Sequence, residues 1–360
     1  MRGAACKIVA RSKTMSKKKL TAIVAVLALY GGVQQAAAQA MPPPPAPAPK
    51  SYASTATAPA VYARHVGPVS VLEVRPDVSM LTVDGFNLAV CRGDDGLVVI
   101  DTGPAARAEE VLAAIREVSD APIRYLVNTS TGNSSNGGNE VIAKAGTAFS
   151  IGTLGTTAPI IAHQNALLRM LAEPGQKHPA EAIPSEIFSR RVRSAHLNGQ
   201  AIEAIWEPAA HIDGDIVVFM RRSDVIVTGA IFDSMGFPDI DLKHGGSIQG
   251  EINALNDILN NMAVGSTPLV EQQGETLIIP ARGPLSNKDD LVNYRDMVTI
   301  VRDRVQDGIG RRQSIAQIIA ADPLQGFRNR YAESPQAAQR FIQSVYDSLR
   351  KQPKLSERGT

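Results

Sequence analysis

The stretch LVVIDTGP, residues 97–104, decides how the chain folds. Its first four residues are apolar and predict a buried strand, and the polar turn after them ends in glycine and proline, which break regular structure. Residues 106–118 then predict a helix, because their apolar residues recur at helical spacing. Loops at strand ends are where α/β proteins place their chemistry, so the polar residues of such turns are the first candidates for a site.

Short apolar segments on the N-terminal side of this stretch predict further strands. They cover residues 69–74, 80–83 and 88–91 and are separated by Pro-Asp, Asp-Gly and Gly-Asp-Asp-Gly turns. Asp94-Asp95-Gly96 suits a tight turn, because Asp and Gly tolerate the positive φ that such turns need. A run of antiparallel strands therefore leads into LVVIDTGP.

On the C-terminal side the chain repeats the order of strands followed by helices. We expect strands at residues 124–127, 201–206, 216–220, 225–227 and 276–279. Helices are predicted at residues 139–144, 158–172, 248–263, 287–306, 312–321 and 335–350. Strand-rich and helix-rich segments thus occur twice in a similar order, which predicts two sheets sandwiched between helices.

The first forty residues have the features of an export signal. They contain seven Lys or Arg and no Asp or Glu, and residues 20–33 form one apolar run. Because this run is shorter than the roughly 20 apolar residues that span a membrane, we expect a signal peptide and no membrane span after its removal; an uncleaved anchor is the alternative. The small-x-small pattern at residues 38–40 predicts cleavage after Ala40 and a periplasmic or secreted protein. Translation from Met1 and from Met15 both fit this pattern.

Residues 41–64 are rich in proline and alanine and predict a semi-extended linker, because this composition cannot bury enough apolar surface to fold. We place one domain core at residues 65–285 and further helices at residues 286–360 that pack on the same domain.

The net charge of the chain changes when the signal is removed. Seven basic residues leave with it, so 30 of the 37 Lys and Arg remain against 35 Asp and Glu, a net charge of −5. This charge predicts neither a nucleic-acid partner nor an anionic-membrane surface.

Five segments together make the sequence resemble the metallo-β-lactamase superfamily over nearly all of residues 69–350. GLVVIDTGP is similar to the strand with the family's Asp-Thr-Gly, NGGNE to the end of its first metal loop, and AAHIDGDIVVF to the segment with its third histidine. VIVTGAIF and LIIPARGP are similar to its later metal loops. The resemblance implies an α/β (α+β) fold of four layers, an αββα sandwich. It also implies the activity of the family, whose members hydrolyse substrates with bound zinc.

Most metal-binding positions of the family hold other residues in this chain. The family's first loop reads Thr-His-x-His-x-Asp-His-x-Gly-Gly. When TSTGNSSNGG is aligned with it, none of the four metal-ligand positions of the loop holds a His or Asp. His211 matches the next histidine and is kept. Ala230 stands where the family has its bridging aspartate, and Arg282 where it has its last histidine. The four changed residues of the first loop are Ser130, Gly132, Ser134 and Ser135.

These replacements predict that the chain binds no metal and needs no other cofactor, the ancestral zinc having been lost. Zn²⁺ requires about three or four N, S or O ligands at roughly 2.0–2.3 Å to offset its dehydration, and one imidazole supplies a small part of that. The charge of Arg282 also repels a divalent cation. Without the metal the family's nucleophile is lost, because bound Zn²⁺ lowers the pKa of its water from about 15.7 to about 7.

Two functions remain open for the pocket at the seven former ligand positions. The first is a pseudoenzyme that binds a small anion through Arg282, or that binds a periplasmic partner protein or a second copy of itself. The second is a hydrolase that acts on a small ester, thioester or lactam, with an atypical metal or with a serine and a histidine in place of the metal.

A serine mechanism assigns roles to a small set of residues. His211 is the base in this hypothesis, and Asp101 or Asp213 orients it. Such a site also needs an oxyanion hole aimed at the same point, and no motif in the sequence predicts one. The resemblance instead implies that Asp101 accepts backbone N–H groups of neighbouring loops. The candidate nucleophiles are Ser130, Ser134 and Ser135.

Overall fold

The computed structural model describes residues 63–148, 157–172, 178–265 and 274–351. The predicted signal peptide, residues 1–40, and most of the predicted linker lie outside these ranges. Within the ranges that the structure describes, no helix is both long enough and apolar enough to cross a membrane.

Eight strands form the first sheet in the order in which they follow in the sequence. The first five pair antiparallel, and the fifth to the eighth pair parallel. β-branched residues between tight turns favour these strands, and both residues of the turn at Asp84 and Gly85 have a positive φ. The strands are β1 Arg64–Val66, β2 Val69–Arg75, β3 Val78–Val83, β4 Phe86–Gly93, β5 Gly96–Ile100, β6 Ile123–Val127, β7 Ile160–His163 and β8 Glu186–Phe188.

Five strands form the second sheet, in the order β13-β12-β11-β10-β9. β9 to β12 pair antiparallel, and β13 pairs parallel to β12. Every residue of β11 and β12 is buried, as expected for strands covered on both faces. The strands are β9 Val192–Leu197, β10 Gln200–Trp206, β11 Ile216–Met220, β12 Val225–Val227 and β13 Leu277–Ile279.

Several helices begin at residues that cap them. Asn287 starts a 23-residue helix with a capping box, because its side chain accepts from the N–H of Asp290 while the Asp290 carboxylate accepts from the N–H of Asn287. Ser247 accepts from the N–H of Gly250 at the start of another helix. The helices are α1 Ala108–Val118, α2 Asn133–Asn136, α3 Asn139–Lys144, α4 Gln164–Ala172, α5 Ile248–Asp257, α6 Lys288–Gly310, α7 Ile315–Ala320, α8 Arg328–Tyr331 and α9 Pro335–Lys351.

The two sheets pack face to face, and helices cover their outer faces. Between the sheets, Ile100 of β5 and Val218 of β11 belong to one buried cluster. On the outer face of the first sheet, Ile115 of α1 packs with the strands. On the outer face of the second sheet, Leu255 of α5 packs with residues of α6 and α9. The layers therefore run helix, sheet, sheet, helix, and the predicted αββα sandwich is confirmed.

Two segments differ from the sequence-based expectation. The helix predicted at residues 158–172 is wrong in its first part, because Ile160–His163 forms β7 and only Gln164–Ala172 is helical. A run of four buried residues fits a covered parallel strand as well as a helix, and periodicity alone does not separate the two. The structure also places β8 and β9 in a polar segment where no strand was predicted.

Candidate functional site

Loops from both sheets meet at one edge of the sandwich. β5 and β6 are parallel, so Asp101 and residues 128–130 leave the first sheet at the same edge. In the second sheet β12 and β13 are parallel and β11 runs antiparallel to β12, so residues 211–215, 228–230 and 280–282 also lie together. The two groups of loops are joined where the N–H of Ile216 donates to the carbonyl oxygen of Thr129 at 2.8 Å.

These loops enclose a cavity of about 260 Å³. Most of the residues that the sequence placed at former ligand positions line it, together with Asp101, so distant loops do converge on one pocket. Ser130 and Gly132 are not part of its wall. The predicted residues that line the cavity are Asp101, Ser134, Ser135, His211, Ala230 and Arg282.

Asp101 ties the first sheet to the loop after β6. Its carboxylate accepts from the backbone N–H of Thr129 at 2.8 Å and from the Thr129 hydroxyl at 2.6 Å, which is the task that the resemblance implied. Burial raises the pKa of Asp101 to about 7, although the hydrogen bonds from Thr129 oppose this. Asp101 has a φ of 60°, a backbone conformation that Asp and Asn tolerate better than most residues.

Gly229 keeps the loop after β12 close to the same threonine. Its φ is 52°, and a Cβ atom at this position would lie 2.2 Å from the hydroxyl oxygen of Thr129. Any larger residue would therefore push apart the two loops that form the cavity. Glycine is required here for both reasons, the left-handed backbone and the close approach.

Ser130 is bound to a carboxylate and not to the histidine. Its hydroxyl donates to Asp215 at 2.5 Å, and the other oxygen of Asp215 accepts from the N–H of Ile212 at 2.7 Å. Burial raises the pKa of Asp215, against the nearby charge of His211. Of the three serines, Ser130 therefore holds two loops together, and its hydroxyl has no hydrogen bond with His211 in the described structure that would make it a nucleophile.

The loop at residues 131–138 separates two cavities. Ser134 and Ser135 line the central cavity, whereas Gly132 lines a second cavity of about 360 Å³ on the other side. The carbonyl oxygen of Ser135 accepts from the N–H of Thr102 at 3.0 Å and from the side-chain amide of Asn128 at 3.0 Å. The polar residues of this loop thus hold the loop itself and the adjoining turn in place.

Among the positions that the resemblance assigns to metal ligands, His211 is the one that holds an imidazole. Its Nδ1 lies 2.6 Å from the carbonyl oxygen of Asp239, so Nδ1 carries a proton and donates it there. Burial lowers the pKa of His211, but the charge of Asp215 and the bond to Asp239 outweigh it and the pKa is raised. Asp213, one of the two residues expected to orient this ring, instead forms a two-pronged ion pair with Arg169 at 3.1 and 2.6 Å.

Arg282 fills one side of the cavity with its charge already paired. Its Nε donates to Asp233 at 2.6 Å, its Nη2 contacts the same carboxylate, and its Nη1 contacts Glu333. The charges of Asp233 and Glu333 raise the pKa of Arg282 against the effect of its partial burial. Two carboxylates around one guanidinium leave an excess of negative charge, which gives the expected anion site at Arg282 little support.

The side chains at the positions that the sequence resemblance assigns to metal ligands do not fit zinc. The serine hydroxyls, the methyl group of Ala230 and the guanidinium of Arg282 are not zinc ligands, and His211 offers a single nitrogen lone pair. Among the residues that the structure describes, no group of three or more His, Cys, Asp or Glu is placed to hold a metal ion. No catalytic step through a metal can be derived from this set.

No sequence motif marks four acidic residues at or near the site. Asp233 and Asp239 line the cavity, and Asp215 and Glu251 are buried close to it. Glu251 of α5 is fully buried, and burial raises its pKa well above the ordinary value. Neither of its carboxylate oxygens has a hydrogen-bond partner among the described residues. An acidic residue inside the apolar face of a predicted helix was the signal that could have identified it.

Comparison with known proteins identifies the architecture and nothing finer. No protein-family model and no curated protein sequence matches the chain. A solved metallo-beta-lactamase from Pontibacter korlensis is similar in structure, with a TM-score of 0.50 and 16% identity, over 64% of this chain and 99% of that one.

Two solved alkylsulfatase structures are also similar. The stereoselective inverting sec-alkylsulfatase Pisa1 from Pseudomonas sp. has a TM-score of 0.56 and 14% identity, over 77% of this chain and 49% of that one. A double mutant of the sec-alkyl sulfatase PisA1 has a TM-score of 0.58 and 15% identity over the same shares. This chain thus spans about half the length of the alkylsulfatases that it matches. At such low identity these similarities show the fold alone.

Proposed function

We propose that this chain, which has the metallo-β-lactamase fold, binds a small molecule in the cavity at the sandwich edge and does not perform the zinc-dependent hydrolysis associated with that fold. The observation that carries the proposal is the set of side chains in the cavity wall. Among the described residues that line it, His211 is the one imidazole, and the guanidinium of Arg282 is already paired with two carboxylates.

The loops support binding because hydrogen bonds between their own side chains hold the walls of the cavity in place. Hydrogen bonds from Thr129 to Asp101 hold two loops of the first sheet together, and the bond from Ser130 to Asp215 fixes the first sheet's loops against those of the second sheet. The resulting cavity of about 260 Å³ is close to the lower end of the roughly 300–1,000 Å³ typical of ligand sites. A small ligand is the occupant that this volume favours.

A hydrolase with a serine nucleophile is the second candidate, and one observation favours it. Ser134 and Ser135 line the same cavity as His211. Against it, no hydrogen bond joins either serine to His211 in the described part of the chain, and Nδ1 of His211 donates to a backbone carbonyl in place of a carboxylate. A triad needs both of those bonds.

Hydrolysis assays distinguish three possibilities: binding without catalysis, a serine hydrolase and a zinc-dependent hydrolase. The purified protein is assayed on alkyl sulfate, β-lactam, thioester and lactone substrates, with added zinc and separately with a chelator. We expect no turnover under either condition. Turnover that the chelator abolishes and zinc restores would refute the proposal. Turnover that survives the chelator and is lost when Ser134 and Ser135 are both replaced by alanine would establish the serine hydrolase instead.

A further inference from the structure

We propose that the cavity at the sandwich edge takes a small organic cation, with a protonated amine as its recognised group and Asp239 as the counter-ion. This inference rests on the proposed function and specifies the chemical class of the ligand. It replaces the small anion that the presence of Arg282 in the sequence had suggested.

The charges in the cavity wall are the first step of the argument. The carboxylates of Asp233 and Asp239 line the cavity against the two basic side chains of His211 and Arg282. Asp101 adds a carboxyl group that is only partly ionised at neutral pH, because its pKa is about 7. Glu333 adds a further carboxylate through its contact with Arg282. In the described residues of the wall, acidic groups therefore outnumber basic ones, and an anion entering the cavity meets net repulsion.

Arg282 cannot offer its charge to a ligand without losing another partner. Its guanidinium contacts Asp233 through Nε and Nη2 and Glu333 through Nη1. An anionic ligand would have to displace one of these carboxylates and leave it unpaired beside the cavity. That exchange of one carboxylate for another brings no net gain in ion pairing.

Asp239 differs from the other carboxylates of the wall because its side chain is not held by a partner in the described structure. Its backbone carbonyl accepts from His211, but its side chain is exposed and has no hydrogen bond or ion pair with any residue that the structure describes. It lines the central cavity and also an adjoining cavity of about 230 Å³. A cation beside this carboxylate would have no hydrogen bond or ion pair to displace in the described structure, although the charge of Asp239 also acts on the imidazole of His211 and helps to raise its pKa.

Phe86 makes the wall suitable for an organic cation in particular. It lines the same cavity and is half-buried, and aromatic faces attract ammonium groups within about 6 Å of the ring centroid. A bare divalent metal needs several ligands at fixed geometry, and the described residues offer no such group. An ammonium group with a short carbon chain satisfies both the carboxylate and the apolar part of the wall.

Calorimetric titration with three probes, each with three carbon atoms, tests the ligand class. The probes are propylammonium, 1-propanol and propionate, each added at millimolar concentration to the purified protein. We expect propylammonium to bind more tightly than propanol, and propionate to bind least. Added salt should weaken only the binding of propylammonium, because exposed charges are screened by ions. Propionate binding as tightly as propylammonium, or no binding of propylammonium, would overturn the inference.

Variants at Asp239 test the counter-ion. Asp239→Asn should weaken propylammonium binding about fivefold, the upper range for a partly exposed ion pair, while Asp239→Glu retains it. Glu109→Gln, which removes an exposed carboxylate on α1, is the matched control and should leave binding unchanged. Equal affinity in wild type and Asp239→Asn would contradict the assignment. If propanol or propionate binds and propylammonium does not, the inference fails while the proposed function stands; zinc-dependent turnover would instead refute the proposed function.

Discussion

Replacing Asp101 by asparagine should change how the stability of the protein depends on pH. Asparagine has the same shape, tolerates the positive φ at this position, and can still accept from the N–H of Thr129. It removes the ionisable group and exchanges the oxygen that accepts from the Thr129 hydroxyl for an amide donor, a change whose effect does not depend on pH. The variant therefore isolates the effect of burying one carboxylate beneath the cavity.

The magnitude follows from the pKa of Asp101. Burial raises this pKa from the ordinary value of 3.8 to about 7, so between these values the folded protein binds a proton that the unfolded chain has lost. Because the folded state holds more protons, the contribution of Asp101 to stability is fully present below pH 3.8 and falls as pH rises, until it levels off above pH 7. The slope is about 1.4 kcal/mol per pH unit at pH 5 and falls to half of that at pH 7, so the part of this loss between pH 5 and pH 7 is about 2 kcal/mol.

Urea unfolding at intervals from pH 5 to pH 8 measures the effect. The difference in unfolding free energy between wild type and Asp101→Asn should move by about 2 kcal/mol in favour of the variant as pH rises from 5 to 7, and then change little. Asp94→Asn, at the exposed turn between β4 and β5, controls for the loss of one acidic residue. A difference that does not vary with pH would refute the reasoning, because it would mean that Asp101 ionises alike in both states.

Three further predictions concern stability and processing. Glu251→Met should raise the unfolding free energy by about 1–3 kcal/mol, because it removes buried oxygens that lack partners in the described structure; a lower melting temperature would contradict this. Asn287→Ala should lower the unfolding free energy by about 1 kcal/mol through loss of the capping box of α6, and an unchanged urea midpoint would count against the cap. If the chain is exported, N-terminal sequencing of the protein from the periplasmic fraction should begin at Met41, whereas an intact N-terminus would favour an anchor.

The sequence predicts the strands well where apolar residues lie between turns. β2 to β5 and β10 to β12 were expected on this pattern. β9 was missed because it is an edge strand whose residues are all at least partly exposed, so that no apolar run marks it. The first part of residues 158–172 was read as helix because a four-residue buried run has no distinguishing period.

The sequence identified part of the cavity wall, but neither its acidic residues Asp233 and Asp239 nor the partners of its residues. Asp101, His211 and Arg282, which the sequence singled out, line one cavity in the structure. The bond from Ser130 to Asp215 joins residues 85 positions apart, and Arg282 meets Asp233 across 49 positions. Such pairs follow from how two loops pack in three dimensions, which local propensity and spacing do not encode.

Zinc stoichiometry is the measurement that tests the central claim most directly. The purified protein is incubated with excess zinc, passed through a desalting column and examined by elemental analysis beside His211→Ala. The side chains of the cavity predict zinc far below one ion per chain in both proteins. One or two zinc ions retained per wild-type chain and lost in His211→Ala would show that the cavity still holds a metal centre, and would contradict the account.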